Sequence, residues 1–318
     1  MNRVCRLLVS VIAASALWAT AAQADDKLRV GTPEPTAFVF AGVNVGTETG
    51  IFKKHGLEVE RFDFAGGAKL HQAMVAGALD VVIGTGSDIL FLMNGARERA
   101  VAAYANDLNS LSLVVRADDA SIKSMDDIKG KTVGTTTAGS FTTWISKTIA
   151  KNHGWGPDGI QHAYLGNMSS MTAGLVSKNV DAIVGTTSQS LLLEQQGKAR
   201  ILVRAGDEIQ DFIADMVYAS EPMMKERPEV LRRFLAAWFE TMKFMKSNKA
   251  ETIRITQQST KLPDAIAAKI YDIEIPTFFT DGHFDRKKLA AVKQALIDTG
   301  VIDKVPPDDQ IIDESFLP

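Results

Sequence analysis

The chain has 318 residues, of which 35 are Lys or Arg and 38 are Asp or Glu, for a formal net charge of -3. So mild a charge gives no electrostatic footprint for nucleic acid. The single cysteine, Cys5, lies in a segment that is predicted below to be removed. The remaining chain would therefore have no disulfide, no thiolate nucleophile and no zinc-thiolate site, and its fold must be held by its cores.

Residues 1–24 have the pattern of a secretory signal peptide. Two arginines give a charged start, residues 7–18 are an apolar run too short for a comfortable membrane span, and residues 22–24 read Ala-Gln-Ala, a cleavage site. Cys5 precedes the apolar run, whereas a lipidated cysteine would follow it. We therefore predict export to the periplasm, with no lipid anchor, of a soluble chain that begins at Asp25.

The elements that follow alternate between strands and helices. Residues 28–31 read as a strand, and residues 38–55 as a helical region that is entered through a loop stiffened by two prolines. Further strands are predicted at residues 57–62, 100–104 and 111–116. This alternation indicates an α/β fold.

The stretch at residues 64–92 organises the chain, because residues 165–193 are a variant of it. Aligning Asp80 with Asp181 also matches the Gly-Thr pairs that end the strands. Each copy predicts a turn, a helix, a short strand covered on both faces and another helix. N-cap residues after that strand would leave backbone N–H groups pointing beyond its carboxyl end, where ligands sit in open α/β sheets. We predict two similar β-α-β-α-β lobes, with chance similarity as the alternative.

Two crossings between the lobes are predicted. Polar residues 117–131 look like the first, and a strand at residues 213–219 looks like the second. Helices dominate after that strand, and the helix at residues 229–246 shows an apolar stripe typical of core packing. The predicted division is residues 25–116 plus 212–318 for lobe I and residues 117–211 for lobe II.

Catalytic and metal-binding patterns are poorly supported. The zinc-protease, serine-hydrolase, phosphate-loop and dinucleotide motifs are missing, and the five histidines have no ligand spacing. His55 and His153 precede glycines at helix ends, where contact with the terminal carbonyls is expected. Asp80 and Asp181 fit turn residues rather than a catalytic pair. We predict no enzyme activity, no cofactor and no metal site.

Several motifs together resemble one family. They are ETGIFKKHGLEV at residues 48–59, the glycine pair at 66–67, AGALD at 76–80 and IKGKTVG at 128–134. With the signal peptide, this set resembles the periplasmic solute-binding proteins of the nitrate, sulfonate, taurine and thiamine-precursor ABC importers. The resemblance covers nearly the whole mature chain. It implies a type II periplasmic binding fold, in which two pseudo-symmetric α/β lobes joined by two crossing strands close on a small molecule.

The resemblance also implies which residues face the ligand, and they fall in matching loops of the two lobes. On the first wall they are Thr32, Phe38, Gly66, Gly67, Thr85, Ser87 and Asp88. On the opposite wall they are Thr135, Thr136, Thr137, Ser140, Phe141, Asn167, Thr186 and Thr187, with Asp215 near the return crossing. Helix N-termini and hydroxyls on both walls would stabilise the closed state by their affinity for the ligand.

The chemistry of these loops leaves several alternatives open. Phe38 and Phe141 either sandwich a planar part of the ligand or belong to the cores of their helices, and the hydroxyl run at residues 135–140 also fits simple helix caps. The loops contain no arginine, which argues against amino-acid-type recognition. Lys69 is the only cation close to them, and a solvated position is expected for it. Neutral heteroaromatics and anions held by helix N-termini both remain open as ligands.

The resemblance implies a monomer that delivers its ligand to the membrane permease of an ABC transporter, which a cytoplasmic ATPase drives. An exported sensor that presents its closed form to a membrane receptor is the alternative that the sequence leaves open. An enzyme of the thiamine-pyrimidine synthase type is disfavoured, because such relatives use a cysteine-rich iron site. A DNA-binding regulator is disfavoured because the secretion signal occupies the end where its helix-turn-helix would lie.

Overall fold

The computed structural model describes residues 25–93, 95–156, 158–298, 303–304 and 307–318. The predicted signal peptide, residues 1–24, lies outside the described residues. Two five-stranded sheets of mixed direction, surrounded by helices, make up the molecule, so the α/β fold class is confirmed. Within the described residues, no helix is long and apolar enough to cross a bilayer.

The first sheet comes mainly from the N-terminal part of the chain. Its strands are β1 (Asp26–Thr32), β2 (Leu57–Asp63), β3 (Val81–Thr85), β4 (Glu98–Asn106) and β10 (Ile213–Ser220). In the order β2-β1-β3-β10-β4, β1 is parallel to both of its neighbours, and β10 is antiparallel to both β3 and β4.

The second sheet repeats this arrangement. Its strands are β5 (Leu111–Arg116), β6 (Thr132–Thr135), β7 (Gln161–Tyr164), β8 (Ala182–Thr186) and β9 (Ala199–Arg204). In the order β7-β6-β8-β5-β9, β6 is parallel to its neighbours, and β5 is antiparallel to both β8 and β9. The matching orders and directions agree with the repeat that the sequence shows.

Helices cover the faces of both sheets. They are α1 (Gly42–Glu48), α2 (Ile51–Lys54), α3 (Gly67–Val75), α4 (Ile89–Met93), α5 (Phe141–Asn152), α6 (Met168–Val176), α7 (Thr187–Gln195), α8 (Ala205–Glu208), α9 (Glu221–Glu226), α10 (Pro228–Ser247), α11 (Lys249–Thr260), α12 (Asp264–Glu274) and α13 (Arg286–Asp298).

The strands β3 and β8 form the centre of the two halves, and every residue of both is buried. Each follows an aspartate that braces the neighbouring strand. The Asp80 carboxylate accepts a hydrogen bond from the Arg29 backbone N–H at 2.8 Å, and the Asp181 carboxylate accepts one from the Thr132 backbone N–H at 2.9 Å. These two acids therefore hold strand pairs together at equivalent places.

The predicted boundary after residue 116 is wrong for β5, which belongs to the second sheet. Its residues pair with β8 and β9, so the chain crosses between the sheets at residues 107–110 and not at 117–131. Asp107, at the start of the crossing, has a left-handed φ of 65° that turns the chain away from the first sheet. A buried apolar strand has the same sequence pattern in either sheet, which is why the pattern did not locate the crossing.

The apolar stripe predicted on α10 lies in the core. Phe234, Trp238 and Met242 have no exposed surface, and they pack towards α1. The approach is close at Gly42, where a β-carbon would come within 2.5 Å of the Met242 side chain. The C-terminal helices therefore contribute to the hydrophobic core beside the first sheet.

Candidate functional site

A cleft of about 660 Å³, part of it open to solvent, lies between loops of the two sheets. Ten of the residues predicted to face a ligand line it, and they come from both halves of the chain. They are Gly66, Gly67, Thr85, Asp88, Thr136, Ser140, Phe141, Asn167, Thr186 and Asp215. The carboxyl ends of β3 and β8 thus meet at one site, as expected for open α/β sheets.

The end of β3 is shaped by a capping box. The Asp88 Oδ2 atom accepts a hydrogen bond from the Thr85 backbone N–H at 2.8 Å, and the Thr85 side chain caps the turn in return. Gly67, at the start of α3, packs on the same carboxylate, since a β-carbon there would lie 2.8 Å from Asp88 Oδ1. Asp88 therefore caps the turn after β3 and lies against the start of α3 at the cleft surface.

The opposite wall is neutral and rich in hydroxyls. Ser140 caps α5, and its Oγ atom lies 3.0 Å from Thr142 Oγ1, which also accepts a hydrogen bond from the Thr136 backbone N–H at 2.9 Å. Asn167 caps α6 and Thr186 caps α7. The caps that the sequence predicts as an alternative role are thus present, and the same residues also line the cleft.

Asp215 differs from Asp88, also on the first wall, because no basic side chain among the described residues pairs with it. It lies on β10 opposite Thr85 of β3, is 2% exposed, and its Oδ2 atom has no hydrogen-bond partner among the described residues. Burial, and after it the nearby charges of Glu274 and Asp88, raise the pKa of Asp215 well above its usual range. Desolvation of this kind disfavours the carboxylate unless a ligand supplies a donor.

Behind the first wall lies a buried ionic group centred on His71. Its Nδ1 atom is 2.7 Å from Glu98 Oε1, and its Nε2 atom is 3.2 Å from Asp88 Oδ2. Burial by itself lowers the pKa of His71, but the charges of Glu98 and Asp88 together outweigh it and raise the pKa to about 10. A positive His71 therefore neutralises Asp88 from behind. Sequence spacing gave no sign of this group, because its members lie on three separate elements.

The expected contacts of His55 and His153 with terminal helix carbonyls are not the ones that their side chains make. His55 Nε2 is 2.8 Å from a carboxylate oxygen of Glu240, and His153 Nε2 is 2.8 Å from one of Glu208. They pair with carboxylates rather than with helix carbonyls. Across the described part of the chain, no group of three or more His, Cys, Asp or Glu side chains is arranged to hold a metal ion.

Six residues predicted to face the ligand do not line the cleft, namely Thr32, Phe38, Ser87, Thr135, Thr137 and Thr187. Phe38 belongs to the core, where its ring packs 6.0 Å from Tyr271 and 5.9 Å from Phe278 between centroids. It cannot sandwich a ligand. Phe141, in contrast, lines the cleft and also stacks on Trp144 at 5.6 Å, so both of its predicted roles are compatible.

The remaining five are used to hold the loops. Thr32 donates a hydrogen bond to Asp63 at 2.6 Å, and Thr187 donates one to the Asn109 carbonyl at 3.1 Å. The fully buried Ser87 lies against Thr85, while Thr135 and the Thr137 carbonyl both accept from Thr143. They position the walls from behind.

The cleft also contains residues that the sequence did not indicate, which are Pro33, Glu34, Ala37, Val39, Phe40, Ala65, Ser110, Leu111, Thr142 and Met168. Most are apolar. Glu34 is half-buried, its carboxylate accepts a hydrogen bond from Thr36 Oγ1 at 2.9 Å, and burial raises its pKa. Ser110 and Leu111 lie at the crossing that the sequence misplaced.

Comparisons with known proteins agree with this architecture. The family described as NMT1/THI5 like matches residues 37–252, which is more than half of the chain. A protein of Brucella abortus (strain 2308), described only as a binding protein, is 26% identical over 233 residues, covering 70% of this chain and 68% of its own.

Solved structures show the same fold. The alkanesulfonate-binding protein SsuA from Xanthomonas axonopodis pv. citri, bound to MOPS, has a TM-score of 0.76 at 15% identity and covers 87% of this chain and 94% of its own. The desulfurization enzyme DSZB shares the fold less closely, with a TM-score of 0.65 at 14% identity over 92% of this chain and 97% of its own. The fold thus occurs in both binding proteins and an enzyme. This chain belongs to the NMT1/THI5-like family and has the two-lobed type II periplasmic binding fold.

Proposed function

We propose that the chain is an extracytoplasmic solute-binding protein that captures a small molecule between its lobes and delivers it to the permease of an ABC transporter. The observation that carries this proposal is that equivalent loops of the two halves line one cleft. A ligand that touches both walls binds the closed arrangement more tightly than the open one, so its affinity favours closure. Such a protein would act in the periplasm as a monomer.

Two short connections suit a hinge between the lobes. The chain passes between the sheets at residues 107–110 and returns at residues 205–212. Each connection contains an aspartate with left-handed backbone, Asp107 at φ 65° and Asp211 at φ 55°. We take lobe I to be the first sheet and lobe II the second. The walls touch where Ser188 Oγ of lobe II donates to the Thr36 carbonyl of lobe I at 3.1 Å.

The polar groups of the cleft support binding over catalysis. The hydroxyls of Ser140, Thr136 and Thr142 hydrogen-bond to one another or to backbone N–H groups, and no histidine lines the cleft among the described residues. A hydroxyl nucleophile needs an adjacent base to activate it. His71, the nearest candidate behind the wall, lies between two carboxylates and carries a proton.

A cleft-blocking variant tests capture. Ala65 lines the cleft, is half-buried, and makes no hydrogen bond that a larger side chain would remove, so Ala65→Trp should fill the space without unfolding lobe I. Ser140 is unsuitable because it caps α5, and losing that cap costs about 1 kcal/mol by itself. The matched control is Ala76→Trp, at the exposed far end of α3.

The protein and both variants should be exposed to an extract of the host's growth medium and analysed by native mass spectrometry. We expect one bound small molecule in the unmodified protein and in Ala76→Trp, and none in Ala65→Trp. Equal loading of Ala65→Trp would show that the cleft is not the binding site. Delivery is a separate test: the loaded protein should stimulate the ATPase of a neighbouring transporter in proteoliposomes, and stimulation of a receptor kinase instead would replace the importer by the sensor alternative.

A further inference from the structure

The charged residues that line the cleft are all acids. They are Glu34, Asp88 and Asp215, and of the described residues around the cleft none is Lys, Arg or His. Lys69, which follows the glycine pair, is exposed and lies outside the lining. The described lining therefore offers no basic side chain to an anion, whereas each acid in its ionised form would attract a cation.

The three acids differ in what already satisfies them. Asp88 is held by the Thr85 backbone N–H and by the positive His71 behind it. Glu34 accepts hydrogen bonds from Thr36. Asp215 has the least satisfied carboxyl group of the three, because its Oδ2 atom is buried and has no hydrogen-bond partner within the described structure. A buried acceptor without a donor is costly, and a ligand donor at this point would relieve that cost.

Some of the backbone donors that an anion could use are already engaged. The side chains of Ser140, Asn167 and Thr186 already accept from the backbone N–H groups of Thr143, Ser170 and Gln189 at the starts of α5, α6 and α7. Thr142 Oγ1 accepts from the Thr136 backbone N–H in the same wall. Helix N-termini that are capped in this way have fewer free N–H groups for a sulfonate or a carboxylate.

The rest of the lining indicates the body of the ligand. Val39, Phe40, Leu111, Phe141 and Met168 provide apolar and aromatic surface around the acids. An apolar lining with a few placed polar groups is usual for small-molecule sites. The ligand should therefore carry a compact apolar or planar part beside its polar group.

We infer that the cleft binds a small organic cation, an amine or amidine on a compact apolar body, with Asp215 as the acceptor for its N–H groups. This inference rests on the proposed function and narrows it. It proposes an organic cation in place of both the neutral heteroaromatics and the anions that the sequence left open. The cation restores the ionised form of Asp215, so binding releases the Asp215 proton to the solvent when that carboxyl is protonated in the empty cleft.

Three probes of nearly one shape test the charge directly: benzamidinium, benzamide and benzoate. Binding to the purified, ligand-free protein should be measured by calorimetry and by thermal shift. We expect affinity to fall in the order benzamidinium, benzamide, benzoate. In Asp215→Asn, the preference for benzamidinium over benzamide should fall by about tenfold or more, as expected for the loss of a charged hydrogen bond. Asp126→Asn, at an exposed acid that is not part of the lining, is the charge-matched control and should change nothing.

The outcomes separate the two levels of the proposal. If benzoate or an added sulfonate binds more tightly than benzamidinium, the ligand class is wrong while solute capture stands. If benzamidinium binds equally well to Asp215→Asn and to the unmodified protein, Asp215 is not the acceptor and the inference fails. If Ala65→Trp also loads as well as the unmodified protein, the cleft is not the site and the proposed function fails with it.

Discussion

The two halves of the molecule repeat one arrangement, yet they place charge very differently at the cleft. The alignment that matches Asp80 with Asp181 also matches His71 with Thr172 and Asp88 with Gln189. In the first half the pair is ionic, with His71 Nε2 3.2 Å from Asp88 Oδ2. In the second half Gln189 Nε2 donates to Thr172 Oγ1 at 2.6 Å. The same strand-to-helix junction is thus braced by charges in one lobe and by a neutral hydrogen bond in the other.

This difference teaches that the repeat fixes the position of the cleft but not its chemistry. Every charged residue of the lining belongs to the first half: Glu34 lies in the loop after β1, Asp88 in the turn after β3 and Asp215 on β10. The second wall contributes hydroxyls, an amide and apolar surface. We expect the first lobe to hold the charged part of a ligand and the second lobe to close over the rest.

The largest effect should come from breaking the ionic junction. His71→Leu leaves Asp88 and Glu98 buried without their cation and should lower the free energy of unfolding by about 3 to 5 kcal/mol. The matched variant Thr172→Val removes one neutral hydrogen bond and should cost about 1 kcal/mol. Urea unfolding at neutral pH measures both. Equal losses for the two variants would show that charge does not distinguish the junctions.

A second test addresses the boundary between the halves. Burial raises the pKa of Glu274 on α12 to about 8, against the influence of Thr187 and Arg204 from the second half. The folded state then binds one more proton than the unfolded state between the usual value of 4.5 and about 8, so stability falls as pH rises through this window. The slope contributed by one such group is at most about 1.4 kcal/mol per pH unit.

Glu274→Gln should remove that slope and make the protein more stable than the unmodified chain above about pH 8. Unfolding free energies measured across the pH range give the answer. A slope that persists unchanged in the variant would assign the pH dependence to other groups. Asp272→Asn, an exposed acid on the same helix, serves as the control and should leave the slope in place.

The smallest expected effect is the difference between Asp80 and Asp181, the two acids that hold strand pairs together. Asp80 also binds the Arg29 side chain, with the guanidinium 2.7 Å from the carboxylate and 42% exposed, whereas Asp181 accepts from the Thr132 backbone. Asp80→Asn should therefore cost up to about 1 kcal/mol more than Asp181→Asn, and this excess should shrink at high salt. Thermal unfolding at low and high ionic strength measures it. An excess that salt leaves untouched would mean that the ion pair contributes nothing.

Sequence reasoning found the repeated parts of the site for a physical reason. Thr85 and Thr186 are the last residues of short buried strands, and the carboxyl ends of such strands meet at one edge. The repeat therefore predicts residues on both walls of the cleft. Phe38 was misplaced because an aromatic residue at the start of a helix has the same spacing pattern whether its ring enters a cleft or a core.

The parts that sequence missed depend on contacts between distant segments. Glu34 looks like a solvated acid between two prolines, and only the fold brings it to the cleft. His71 on α3 meets partners in the turn after β3 and on β4 that no local spacing connects. Leu111 lines the cleft because β5 joins the second sheet, and strand patterns do not say which sheet a strand joins.

Closure of the lobes on a ligand is the central claim, and a distance between equivalent sites tests it most directly. Ala76, at the end of α3, and Ser177, at the end of α6, are exposed and lie one on each half. Because Cys5 is the only cysteine and falls in the predicted signal peptide, Ala76→Cys with Ser177→Cys allows site-specific fluorescent labelling. Single-molecule energy transfer should show a separate population with a shorter distance between the two labels when the molecule identified by mass spectrometry is added. One unchanged distance with and without that molecule would contradict capture by closure.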